Sequence, residues 1–234
     1  MDYKKILVLA LAMSATAVAY SQEASSIDQL GQLEPRSAAA VPAPEAVITE
    51  SGLPIINFGV AIWQNSESGA REGLVFRGAA PHGDAAFKFL GGLGVGTVID
   101  FRVMRSDDKQ LCADNKIDCR EYSIVPTPTT KLTENSEFKE AFSRATAEIA
   151  NGHKIYVHCR GGHHRTGALI AALTIRETAC GRTFNKEQLG SSIEKTLIEY
   201  GFYTHSGGFH RFSSWEKEIR GWAENFEDNQ WICK

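Results

Sequence analysis

The chain has 234 residues, 43% hydrophobic and 23% charged, with a formal net charge of −3. That balance describes a folding globular domain rather than a fibrous or disordered chain. The slight acidity does not suggest nucleic-acid or lipid-surface binding, and no such partner is expected.

At the N-terminus, Lys4 and Lys5 precede an apolar run from Ile6 to Val18 that is too short to cross a bilayer comfortably. Ala19-Tyr20-Ser21 then places small residues where a signal peptidase cuts. Residues 1–21 are predicted to be a signal peptide, against the competing reading of an uncleaved anchor. The mature protein is expected to be periplasmic or secreted, with no stable membrane association after cleavage. Residues 22–50, rich in Ala, Ser, Glu and Pro, carry no strand or strong helix period and read as a flexible leader. Residues 51–234 are enough for a single domain with a sizeable core.

Within that domain, Leu74 to Arg77 reads as a short strand closed by Gly78-Ala79-Ala80-Pro81. Asp84 is placed as the cap of a helix running through Leu90 and ended by glycines at 91, 92 and 94. Val95 to Arg102 is an apolar strand of the buried kind, followed by a polar loop holding Ser106-Asp107-Asp108. Glu121 to Pro126 reads as another strand, and Thr127 to Thr130 as a loop. From Glu134 to Ala150, apolar residues at Phe138, Ala141, Phe142, Ala145 and Ile149 keep helical spacing. Lys154 to His158 is a strand, and helices are predicted over 166–179, 185–200 and 210–226. This alternation predicts an α/β fold with a central, mainly parallel sheet flanked by helices on both faces. Ligands of such sheets sit at the carboxyl ends of the strands, where Cys159 falls.

The run His158 to Gly167, HCRGGHHRTG, carries the chemistry. A strand, a glycine-bearing loop and a helix N-terminus make an anion cradle of inward backbone N–H groups, helped by the helix dipole. A cysteine inside it is held as thiolate, a nucleophile at neutral pH. Arg165 offers a planar fork for two phosphate oxygens. The competing reading is a buried structural cysteine beside a surface arginine.

The motif resembles the signature loop of the cysteine-dependent protein tyrosine phosphatase superfamily, Cys-x5-Arg-Thr/Ser. Its ending, Gly162-His163-His164-Arg165-Thr166-Gly167, is similar to the Gly-Lys-His-Arg-Thr-Gly of atypical dual-specificity phosphatases. It is also similar to the His-Cys-x-x-Gly-x-x-Arg-Thr of bacterial phosphatase-like phytases. Weaker markers are Phe76-Arg77…Pro81 and Gly94…Thr97-Val98-Ile99-Asp100-Phe101-Arg102. The likeness covers roughly residues 55–190 and implies hydrolysis of phosphate monoesters through a phosphocysteine on Cys159. No cofactor and no metal site is expected.

The resemblance also distributes roles. Arg165 binds the phosphate and stabilises charge in transfer, Thr166 hydrogen-bonds the sulfur, and His158 braces the loop. Arg160, Gly161, Gly162, His163 and Gly167 are expected to line the phosphate site, the glycines by freeing the backbone to face the anion. Arg160 has the competing reading of a solvent-facing loop arginine. The family places an Asp about thirty residues before the cysteine as general acid, and Thr127 to Thr130 holds no carboxylate. His164, which could protonate a leaving oxygen near neutral pH, ranks ahead of Glu134, with Asp107 and Asp108 further candidates.

The basic loop, with Lys131 upstream, favours a phosphorylated small molecule such as an inositol polyphosphate over a phosphopeptide. A protein tyrosine or dual-specificity phosphatase and a weakly catalytic phosphate-binding module are the alternatives. A sulfur carrier of rhodanese type is disfavoured by Arg165-Thr166. Of five cysteines, four remain beside Cys159, which suggests two disulfides in an oxidising compartment. Cys112 with Cys119 and Cys180 with Cys233 is the expected pairing among three that are open.

Overall fold

The computed structural model describes residues 52–65, 71–102, 106–127, 129–199 and 213–234. The signal peptide and leader predicted over residues 1–50 lie outside them. Five strands form one sheet in the order β1-β2-β5-β3-β4. They are β1 Gly59–Asn65, β2 Arg71–Gly78, β3 Val95–Asp100, β4 Asp118–Glu121 and β5 Lys154–His158. Only the β1–β2 pair is antiparallel; β2–β5, β5–β3 and β3–β4 are parallel. The helices are α1 Gly83–Gly92, α2 Ser106–Asp114, α3 Ser136–Ala150, α4 His164–Ala179, α5 Lys186–Glu199 and α6 Ser213–Glu224. The mainly parallel α/β architecture expected from the sequence is the one found.

β5 is the central strand, and its sequence shows why. Ile155, Tyr156, Val157 and His158 are all at most 1% exposed, because a parallel central strand is covered on both faces. Alternation then sorts the residues. Ile155 and Val157 join Ile99 in the large core built with α3 to α6. Tyr156, in register with Phe76 on one side and Val98 on the other, belongs to the opposite face. There Phe58 packs on Phe76, Phe89 and Tyr156, so α1 covers that side. α3 turns Phe138, Ala141, Phe142 and Ala145 inward, and Asn135 caps it by accepting from the Phe138 N–H at 2.9 Å.

Several boundaries differ from the sequence reading. β1 has no counterpart in it. Asp84 is not the cap of α1: His82 occupies that position, and Asp84 lies in the first turn, paired with Lys88 at 2.6 Å. Ser106-Asp107-Asp108 opens α2 rather than forming a loop, since short polar residues also suit a helix N-terminus. The strand expected over Glu121 to Pro126 is displaced to β4. Tyr122 and Ile124 do alternate with Ser123 and Val125 in burial, but β3 ends at Asp100, so Tyr122 N–H to Asp100 carbonyl, 2.8 Å, is the last rung available. The helix placed from Glu134 begins at Ser136, after a 3-10 turn at Leu132–Glu134. α4 begins at His164, two residues before its expected start.

Both expected disulfides are present, Cys112–Cys119 and Cys180–Cys233, leaving Cys159 as the free thiol. The second joins the end of α4 to the last 3-10 segment, Phe226–Cys233, where Arg176 also donates to the Ile232 carbonyl at 2.7 Å.

Candidate active site

Cys159 follows β5 directly, and residues 159–163 turn the chain into α4. Amides at the start of α4 have no intrahelical acceptor, so the loop and first turn present N–H groups around the cysteine. Burial, with 4% of the residue exposed, pushes the Cys159 thiol up. The Thr166 hydroxyl, the Arg165 charge and the N–H groups of Thr166 and Gly162 outweigh it, and the thiol lies below its ordinary value. Thr166 is wholly buried, and its hydroxyl meets no oxygen or nitrogen partner among the described residues, which leaves the sulfur as its neighbour.

Arg165 is held by one corner. Its Nη1 donates to the carbonyls of Phe101 and, at 3.0 Å, Ile124. Nε and Nη2 have no protein partner among the described residues, so one edge of the fork stays available for paired oxygens. Arg165 lines a cleft of about 530 Å³ together with Ala80, His82, Arg102, Arg160 and the wall Ser123–Pro126.

The loop is braced from below. Arg77, 2% exposed at the end of β2, donates through Nη2 to the Gly162 carbonyl and through Nη1 to the backbone and side-chain oxygens of Asn57, both at 2.9 Å. A guanidinium only donates, so Asn57 Oδ1 is the acceptor and its Nδ2 the donor. Nδ2 reaches the Gly161 carbonyl at 3.2 Å and His163 Nδ1 at 3.1 Å, which leaves His163 Nδ1 unprotonated. Gly162 has φ +76°, and a Cβ there would stand 2.3 Å from the Gly78 carbonyl group. The loop therefore presses backbone to backbone on β2, an approach that only glycine permits.

His158 lies opposite Asp100 in the sheet. Its Nδ1 is 3.2 Å from the Cys159 carbonyl and 3.4 Å from Asp100 Oδ1. Burial lowers its pKa to about 4 against the pull of Asp100, so it is neutral at neutral pH, with Nδ1 carrying the proton for the carbonyl. Asp100 in turn accepts from the backbone N–H, Nε and Nη2 of Arg102, and Asp108 accepts from Arg102 Nη2 at 3.3 Å.

The structure brings Cys159, Arg160, Gly162, Arg165 and Thr166 around one point and sets others aside. Gly167 was expected at the phosphate, but its N–H closes the first helical turn on the His163 carbonyl at 2.8 Å and is not offered to an anion. Gly161 gives its carbonyl to Asn57. The His163 ring is turned to Asn57, and His164 buries its Nε2; neither lines the cleft. Glu134 is paired with Lys131 at 2.7 Å in a separate depression, so neither reaches the cradle. Asp108 is taken up by Arg102, and the Asp107 side chain lies outside what is described. Sequence reasoning quoted Arg77, Asp100 and Arg102 only as weaker markers of the resemblance, without these contacts, and missed Asn57 and the cleft-lining His82. A lone arginine closing an apolar strand was the available signal for Arg77; Asn57 gave none.

A family model described as DSP-PTPase phosphatase fused to NAD+ kinase matches residues 53–200. No curated protein matches. Among solved structures, the chain is similar to the core catalytic domain of the PP-IP phosphatase SIW14 from S. cerevisiae, at 14% identity, over 75% of this chain and 93% of that one, with a TM-score of 0.42. P. aeruginosa TpbA aligns at 17% identity over 64% and 79%, with a TM-score of 0.42. A putative phosphatase (DUF442) from Shewanella putrefaciens CN-32 aligns at 16% identity over 70% and 89%, with a TM-score of 0.45.

Proposed function

The chain belongs to the DSP-PTPase phosphatase family, and on that premise we propose that it is an exported enzyme acting on phosphate-rich small molecules, inositol polyphosphates foremost. It is a cysteine-dependent phosphatase, a phosphoric monoester hydrolase. The observation that carries the substrate reading is the gathering of three guanidinium groups, Arg102, Arg160 and Arg165, around one cleft beside a buried thiol of lowered pKa. One phosphate needs only Arg165 and the cradle amides. Arg102, though paired with Asp100 and Asp108, keeps Nη1 without a protein partner among the described residues, and Arg160 is exposed. Both suit further phosphates on the same molecule.

In the proposed reaction the Cys159 thiolate attacks phosphorus in line with the leaving oxygen, forming the P–S bond as the ester P–O bond breaks. Arg165 and the loop N–H groups take up the charge on the equatorial oxygens. Water then cleaves the phosphocysteine, and Thr166 eases departure of sulfur by hydrogen-bonding the returning thiolate. Export is supported by two disulfides, which persist in oxidising compartments.

One observation favours a second reading, a tyrosine or dual-specificity phosphatase. Val125 is 68% exposed on the wall beside Ile124 and Pro126, an apolar surface on which an aromatic ring could lie. Phosphate release from inositol hexakisphosphate, p-nitrophenyl phosphate and a phosphotyrosine peptide, with chelator present, decides between them. We expect turnover of the inositol substrate, reduced to background in Cys159→Ser. Release from the peptide and aryl ester alone would replace the first reading with the second, and release from none would leave a phosphate-binding module.

A further inference from the structure

The proton donor to the leaving group is the part neither motif nor resemblance located. Among the described residues, no carboxylate lines the cleft beside Arg165. Asp100 and Asp108 are bound to Arg102, and Glu134 to Lys131 elsewhere. One side chain of the lining is built both to give and to accept a proton, the imidazole of His82. Ser123, the other hydrogen-bonding group of the wall, is far too weak an acid.

His82 is well placed. It leaves the sheet after Pro81, on the loop that carries β2 into α1, with an extended backbone (φ −129°, ψ 127°). It occupies the cap position without a side-chain cap bond, so the helix does not engage its ring. The residue is exposed and lines the cleft together with Arg102, Arg160 and Arg165. The charged and titratable groups facing it are Arg102 from the end of β3, Arg160 and Arg165 from the loop and α4, and His158 from β5. On its own element, Asp84 is paired with Lys88.

We propose that His82 is the general acid and base of this phosphatase, resting on the phosphatase reading above. As the Cys159 sulfur bonds to phosphorus, the His82 imidazolium gives its proton to the departing oxygen, which leaves as a neutral alcohol. Neutral His82 then takes a proton from the attacking water as the new P–O bond forms and the P–S bond breaks. Inorganic phosphate departs, and thiolate and imidazolium are restored.

The test uses the full chain and two esters, p-nitrophenyl phosphate, whose phenolate leaves without a proton, and glycerol 2-phosphate, whose alkoxide cannot. His82→Asn should lower kcat on glycerol 2-phosphate by about a hundredfold or more, and on the aryl ester by under about tenfold. The alkaline limb of its pH profile on glycerol 2-phosphate should also disappear. Imidazole in the buffer should restore turnover to His82→Ala, which a folding role would not allow. Equal losses on both esters, no loss on either, or the selective loss appearing instead in His164→Asn or Asp107→Asn would overturn the assignment. Wild-type protein releasing phosphate from neither ester nor from inositol hexakisphosphate would overturn the phosphatase reading itself, and the assignment with it; release from inositol hexakisphosphate alone moves the alkoxide arm of the comparison to that substrate, where His82→Asn should show the same loss.

Discussion

The two sides of the cleft are held in opposite ways. The floor, residues 159–163, is fixed from inside the sheet: Arg77 and Asn57 grip its carbonyls, the Arg160 carbonyl accepts from Ala80 N–H at 3.2 Å, and Gly162 presses on Gly78. The wall, Ser123–Pro126, lies past the last rung at Tyr122 and continues into a segment fastened from outside. Trp215 Nε1 donates to the Thr130 carbonyl at 2.7 Å, and Glu218 accepts from the N–H groups of Leu132 and Thr133 and from the Thr133 hydroxyl. Arg165, bonded to the Ile124 carbonyl, is the link between them. The contrast implies a division of labour, with phosphate capture built into the sheet and substrate fit dependent on the anchorage that α6 gives the wall.

The sharpest attempt to break this comparison strikes the floor. Gly162→Ala should cost about 3–5 kcal/mol, from strain at positive φ plus a clash with β2 backbone that cannot yield, read as a fall in denaturant midpoint. A cost under about 1 kcal/mol would mean the floor is not rigid. A smaller effect tests the same side through pH. His158 is held with its pKa lowered to about 4, so as pH falls below about 6.5 the unfolded chain takes up a proton the folded one refuses. The His158 contribution should take up to about 3 kcal/mol from stability between those values and change no further below about pH 4. His158→Asn should flatten that part of the curve. The smallest effect belongs to the wall. Glu218→Gln should lower stability by about 1–2 kcal/mol and raise KM for a phosphate-rich ester while the Cys159 thiol titrates as before. An altered thiol titration would show that wall and floor are not separable.

The readability of the two regions follows the same line. Cys159, Arg165, Thr166 and the strand–loop–helix around them were legible because the chemistry is local: the ten consecutive residues His158 to Gly167 specify backbone, charge and nucleophile together. That two disulfides form was legible by arithmetic once the nucleophile was set aside; which cysteines pair rested on the short loop between Cys112 and Cys119. The wall was not. Tyr122 to Pro126 alternates like a strand, and only the end of β3 at Asp100 denies it a partner. Gly167 looked like a phosphate ligand because sequence does not say which amide first finds an acceptor inside the helix. Asn57, about a hundred residues from the loop it steadies, and Glu218, 85 or 86 from the turn it holds, are long-range contacts with no local signature.

The pairing of the cysteines bears on how this enzyme ages. Four of its five thiols are consumed in Cys112–Cys119 and Cys180–Cys233, and the fifth is the acidified Cys159. A peroxide reaching the cleft converts that thiolate to a sulfenic acid, and no second thiol of the same chain stands ready to condense with it. Protection then rests on small thiols from the surroundings or on an occupied phosphate site. Where both are lacking, oxidation proceeds to the sulfinic acid and the molecule is permanently retired.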